Sequence, residues 1–85
     1  MEVSLATPDR IVYAGSAAGV VVNADKGQLN ILDRHTNLIS LVQGGSLTIQ
    51  GSKTGNIQFE VGTGVLKMEE NKLSILCNEV STKTN

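Results

Sequence analysis

Apolar residues recur at every second position along most of this chain, and no window carries a sustained helical stripe. Val3 and Leu5, Leu29 and Ile31, Leu47 and Ile49, Ile57, Phe59 and Val61, Leu66 and Met68, and Leu73, Ile75 and Cys77 each alternate with polar neighbours. Successive side chains on a strand point to opposite faces, so this period describes strands with one face buried. Val20-Val21-Val22 is β-branched and continuous, which predicts a strand with little solvent on either face. Turn signals fall between the apolar segments at Thr7-Pro8-Asp9, Asn23 to Gly27, Asp33 to Asn37, Gln43-Gly44-Gly45, Gly51 to Gly55, Gly62-Thr63-Gly64 and Glu69 to Lys72. Two hairpins follow, one joining Leu47 and Ile49 to Ile57, Phe59 and Val61, the other joining Leu66 and Met68 to Leu73, Ile75 and Cys77. The expectation is an all-β antiparallel sandwich or barrel.

At 85 residues the chain is one domain, because two pieces would each lack a core. A chain of this size buries roughly 60–65% of the surface it exposes when unfolded. The domain is placed at residues 1–80, with 81–85 as a polar, frayed tail. Seven Lys and Arg are scattered against eight Asp and Glu, so no basic stripe marks a nucleic-acid binder. Tyr13 and Phe59 alone do not make a base-stacking platform. The start of the chain lacks the basic and apolar regions of a signal peptide, and one cysteine excludes an internal disulfide framework, which favours a reducing compartment. The apolar run from Ala17 to Val22 falls far short of the roughly 20 residues that a membrane helix needs. Membrane association is therefore expected only through a partner.

No catalytic constellation is present. His35 is the sole histidine, without the second His, cysteine cluster or HExxH spacing that a metal centre or general base needs. Glu69-Glu70 are strand neighbours at a hairpin tip and point apart, so they do not flank one bond. Gly51-Ser52-Lys53-Thr54 lacks the spacing of a phosphate-binding loop, and no helix follows it. Gly62-Thr63-Gly64 opens no helix either and reads as a bulge or tight bend. Cys77 alternates in phase with Leu73 and Ile75 as a small buried hydrophobe. A non-catalytic chain is expected, with no catalytic, metal or nucleotide-binding residues and no cofactor.

Six blocks, in order, carry a resemblance that covers nearly the whole chain. They are Leu5-Ala6-Thr7-Pro8-Asp9 with Val12-Tyr13-Ala14-Gly15; Val20-Val21-Val22 with Lys26-Gly27; Gly27 to Ile39; Gly45 to Ile49; Gly64 to Met68; and Leu73 to Cys77. The stretch Gly27-Gln28-Leu29-Asn30-Ile31-Leu32-Asp33-Arg34-His35-Thr36-Asn37-Leu38-Ile39 resembles GEFGILPGHAPLLT of the epsilon subunits of rotary F-type ATP synthases. Gly27, Leu29, Ile31, Leu32, His35, Leu38 and Ile39 fall at matching places.

The resemblance implies a flattened sandwich of two sheets, about five strands each. It also implies a central-stalk rotor subunit that links the gamma subunit to the membrane c-ring for proton- or sodium-coupled ATP synthesis. Such a subunit lies peripherally on the cytoplasmic face of the bacterial inner membrane. Carried over by position, the c-ring contact falls on Asp25, Lys26, Gly27 and Gln28, and the gamma contact on Thr7, Arg34, His35 and Asn37. The chain departs from the pattern where Asn30 replaces glycine, Asp33-Arg34 replaces Pro-Gly, Thr36-Asn37 replaces Ala-Pro, and Gln28 replaces an acidic residue. Many members continue into a two-helix hairpin that inhibits ATP hydrolysis and in some cases binds ATP. Residues 1–85 are accordingly expected to act without that brake and to bind no nucleotide. The competing reading is a stand-alone sandwich module for a small ligand or carbohydrate, which requires an aromatic-lined concave patch.

Overall fold

A computed structural model describes residues 1–82, and every element in them is a β-strand. The strands are β1 (Glu2–Ala6), β2 (Ile11–Ser16), β3 (Gly19–Ala24), β4 (Gly27–Leu32), β5 (Leu38–Ser52), β6 (Gly55–Val61), β7 (Gly64–Glu69), β8 (Lys72–Cys77) and β9 (Val80–Thr82). Alternation divides core from solvent as the sequence predicts most clearly on β1, β6, β7 and β8. On β8, Leu73, Ile75 and Cys77 are buried while Lys72, Ser74 and Leu76 are exposed. Both anticipated hairpins form in the expected register, with Leu47 opposite Phe59, Ile49 opposite Ile57, Leu66 opposite Ile75, and Met68 opposite Leu73.

The 15-residue strand β5 organises the rest. Its first part pairs with β7 (Leu38 with Met68 to Val42 with Gly64), and its second with β6 (Gly45 with Val61 to Ile49 with Ile57). Both partners lie along one edge of β5, since β3 takes the other, with Thr48 between Val21 and Gln58. One half of the ladder then reads β2-β1-β8-β7-β5 and the other β4-β3-β5-β6-β9. Five strands pair in each half, and because β5 belongs to both, the halves join as one continuous nine-stranded ladder. The parallel pairing of β1 with β8 departs from the wholly antiparallel sandwich expected. The buried residues of both halves form a single core, with Leu5, Leu66, Met68 and Ile75 from one and Val20, Ile31, Leu47 and Phe59 from the other.

Glycines make the fold between the halves. Gln43-Gly44-Gly45, anticipated as a turn, lies inside β5. Gly45 has φ +132°, and the β3 register slips at the same level, between Val22 and Ala24. Across the ladder, Gly62 and Thr63 separate β6 from β7. A long hairpin therefore bends at a glycine corner instead of reversing direction. A second correction concerns the C-terminal end. Ser81 and Thr82, assigned to a frayed tail, pair with Glu60 and Phe59 in β9, anchored by buried Val80. The remainder of that tail, residues 83–85, lies outside the described residues. No helix among the described residues is long and apolar enough to cross a membrane.

Candidate functional site

The outer surfaces of the two halves differ in chemistry. On the β4-β3-β5-β6 half, Asn30, Val21, Thr48 and Gln58 stand in register, a predominantly polar row. On the other half the equivalent row is apolar: Leu41 faces Val65, Val65 faces Leu76, Leu76 faces Ala6, and Ala6 faces Ile11. Its four large members are 40–67% exposed, and Ile39 lies beside it at 72%. Five strands at a spacing of about 4.8 Å give a stripe roughly 19 Å long. Lys67, Ser74 and Ser4 form the polar row that borders it. A contiguous apolar stripe with a polar margin is the composition of a protein-docking surface.

Sequence reasoning did not single out this row. Its signal lies in adjacent apolar pairs on strands, Ile11-Val12, Leu41-Val42, Val65-Leu66 and Ile75-Leu76. One member of each pair must face away from the core.

The β3–β4 hairpin ends in a two-residue turn, with Ala24 opposite Gly27 and Asp25-Lys26 at the tip. Gly27 takes φ +112°, which L side chains rarely adopt, and Asp25, Lys26, Gly27 and Gln28 are all exposed. The tip projects beside the apolar row. An open groove of about 550 Å3 has the hairpin from Ala24 to Leu29 on one wall and Ile39, Leu41 and Val65 on the other. Tyr13 and Phe59 do not line it: Phe59 is in the core and the Tyr13 hydroxyl donates to the Ser16 carbonyl at 3.1 Å.

Arg34, His35 and Asn37 share the loop that leads from β4 into β5. Arg34 holds φ +64°, a left-handed conformation that a long side chain adopts only at a cost. The Arg34 amide donates to Asn71 Oδ1 at 2.7 Å, and the His35 amide to the Leu32 carbonyl at 3.0 Å. His35 Nδ1 donates to the Thr36 carbonyl at 2.8 Å, which makes Nε2 the acceptor of the neutral ring. Asn37 Oδ1 receives the Glu70 amide at 3.3 Å. Asp33 beside them takes a 2.7 Å contact from the Met1 α-amine and a 3.1 Å bond from Asn71 Nδ2. The hydrogen bond from the α-amine, followed by that from Asn71, holds the Asp33 carboxyl below the usual carboxylate range.

Thr7 does not join this loop. It turns the chain from β1 to β2, with reciprocal backbone bonds to Arg10 at 2.9 and 3.3 Å. Met1, at the loop end of β1, is roughly 20 Å away along the strand. Thr7 follows Ala6, at the edge of the apolar row, while Asn37 precedes β5 at the other end of that half. The remaining candidates sit in structural roles. Glu69 pairs with Lys67 at 3.3 Å, Glu70 and Asn71 form the hairpin turn with φ +51° and +61°, and burial pushes the Cys77 thiol up. Among the described residues no three His, Cys, Asp or Glu come together as metal ligands.

The family model for the β-sandwich domain of the ATP synthase delta/epsilon chain matches residues 1–83. The chain is 36% identical over 80 residues to a chloroplastic ATP synthase epsilon chain of Emiliania huxleyi, covering 92% of this chain and 59% of the relative. It is 32% identical over 76 residues to the ATP synthase epsilon chain of Streptomyces coelicolor, covering 89% and 61%. The chain thus spans about three-fifths of the length of these relatives. The fold is similar to a chain of the Euglena gracilis mitochondrial ATP synthase, with TM-score 0.81 at 15% identity over 94% of this chain and 51% of that one. A chain of the Tetrahymena thermophila mitochondrial ATP synthase central stalk and c-ring gives TM-score 0.78 at 19% identity over 96% and 66%.

Proposed function

From the premise that the chain belongs to the ATP synthase delta/epsilon β-sandwich family, we propose that it is a non-catalytic rotor subunit bridging gamma and the c-ring. It joins them in the central stalk of a rotary ATP synthase and, in a bacterium, lies on the cytoplasmic face of the inner membrane. The in-register apolar row from Leu41 to Ile11 carries this reading. Each large side chain in it has about half its surface left to bury, roughly 1 kcal/mol apiece on docking. Together these side chains supply the adhesive centre of the gamma contact. Thr7 and the loop bearing Arg34, His35 and Asn37 stand at the two ends of that face and fix its register through polar contacts.

The Asp25-Lys26-Gly27-Gln28 tip is the c-ring contact. Exposed and polar, it suits recognition of polar loops on a ring while leaving the free chain without a second apolar patch. Gln28 makes this contact by hydrogen bonding rather than by charge. The carbohydrate or small-ligand reading has no support: the relatives are ATP synthase subunits, and the groove lacks aromatic residues. The test is size-exclusion co-purification of the tagged chain with the gamma subunit from the same cells. A stable one-to-one complex supports the rotor role. Elution of the chain alone at micromolar concentration overturns it.

A further inference from the structure

The 33–37 loop holds no proline, and one of its residues, Arg34, is left-handed, yet its exposed backbone is tied at several points. The Asp33 amide donates to the Ala18 carbonyl and the His35 amide to the Leu32 carbonyl. Three further bonds, at the Arg34 amide and the Asp33 and Asn37 side chains, lead to the β7–β8 turn, 33 to 38 positions away in sequence. Asn71 makes most of them. Its Oδ1 accepts from the Arg34 amide at 2.7 Å, its Nδ2 donates to Asp33 Oδ1 at 3.1 Å, and its carbonyl accepts the Glu2 amide at 3.2 Å. Asn37 returns a tie in the opposite direction, through the Glu70 amide at 3.3 Å.

We infer that Asn71 is a positioning residue: its side chain bridges Asp33 and Arg34 and thereby sets the loop that presents Arg34 and His35 to the partner. Asparagine suits the place for two reasons. It tolerates the φ of +61° that the turn requires, and one side chain supplies both an acceptor for Arg34 and a donor for Asp33. Aspartate keeps only the acceptor, and glycine keeps neither. Where Pro-Gly and Ala-Pro would stiffen such a loop covalently, here the stiffness comes from hydrogen bonds to a distant turn. This inference rests on the reading that the loop touches gamma.

The test replaces Asn71 in the otherwise intact chain. Asn71→Gly keeps the hairpin, because glycine accepts a left-handed turn, and removes both side-chain bonds. Amide exchange at Arg34 is expected to rise about tenfold, while Leu73 and Ile75 in β8 stay protected. Affinity for purified gamma falls about tenfold. Asn71→Asp alone sets a second carboxylate against Asp33. The paired variant Asn71→Asp/Asp33→Asn restores both an acceptor for Arg34 and a donor–acceptor pair with residue 33, and holds Arg34 exchange within about threefold of the parent. Unchanged exchange at Arg34 in the glycine variant overturns the inference. So does faster exchange with unchanged gamma affinity, or uniform loss of protection along β7 and β8. A parent chain that fails to bind gamma overturns the rotor reading instead, and the exchange data still decide whether Asn71 holds the loop.

Discussion

At the scale of single residues, the 33–37 loop stores a conformational cost that can be relieved. A left-handed residue other than glycine costs roughly 1–2 kcal/mol, and Arg34 holds φ +64°. Arg34→Gly removes that cost and gives back about 0.4–1 kcal/mol through the freer unfolded chain. A net gain of about 0.5–1 kcal/mol is expected, read as a higher urea midpoint with unchanged m-value. Asp33 sets a pH dependence. Its carboxyl lies below the usual range when folded, first through the α-amine hydrogen bond and then through Asn71. A depressed folded pKa gives stability that is complete above the unfolded value of about 3.9 and fades as pH falls through the folded value. Acid titrations of Asp33→Asn should therefore show a shallower loss of stability below about pH 4 than the parent, with a constant offset between about pH 5 and 7. Sequence reasoning placed Arg34 and Asn37 in this loop but missed Asn71, because its partners lie 37 and 38 positions away. Only tertiary pairing brings them together.

At the scale of elements, the hairpins were legible and the corner was not. Alternation fixes which residues face the core, and the register of Leu66 and Met68 against Leu73 and Ile75 follows from it. Gly44-Gly45 carries the same local signal whether the chain reverses or bends within a strand. The choice is made by what lies opposite, and Gly62 and Gly64 across the ladder allow β5 to run through. Gly64 permits this by lacking a side chain: a Cβ there would meet the Leu76 carbonyl and Cys77 Cα, both backbone atoms of β8. Gly64→Ala should thus destabilise by about 1–3 kcal/mol in chemical denaturation, the range for overpacking. A variant as stable as the parent would mean that β7 and β8 separate easily at the corner. β9 was missed for the same reason, since Val80–Thr82 is too short to announce a strand without β6 beside it.

At the scale of the whole molecule, the chain is a sandwich with one wet outer face and one apolar one. That asymmetry was written in the sequence as adjacent apolar pairs, but period-two reading counts the buried member and passes over its neighbour. The hairpin tip that the family resemblance singled out is exposed and His35 in the second loop is half-buried, whereas the stripe between them emerges only once β2, β1, β8, β7 and β5 are laid side by side. The central claim is that this stripe is where gamma docks. It is tested most directly by calorimetric titration of purified gamma into the parent chain and into a Leu41→Ser/Leu76→Ser variant. Both side chains are about half exposed, so the variant should stay folded, with about 1 kcal/mol or less of stability lost. Gamma affinity should fall by about 30-fold, at roughly 1 kcal/mol for each side chain. A folded variant that binds gamma as tightly as the parent would contradict the account and move the contact off this face.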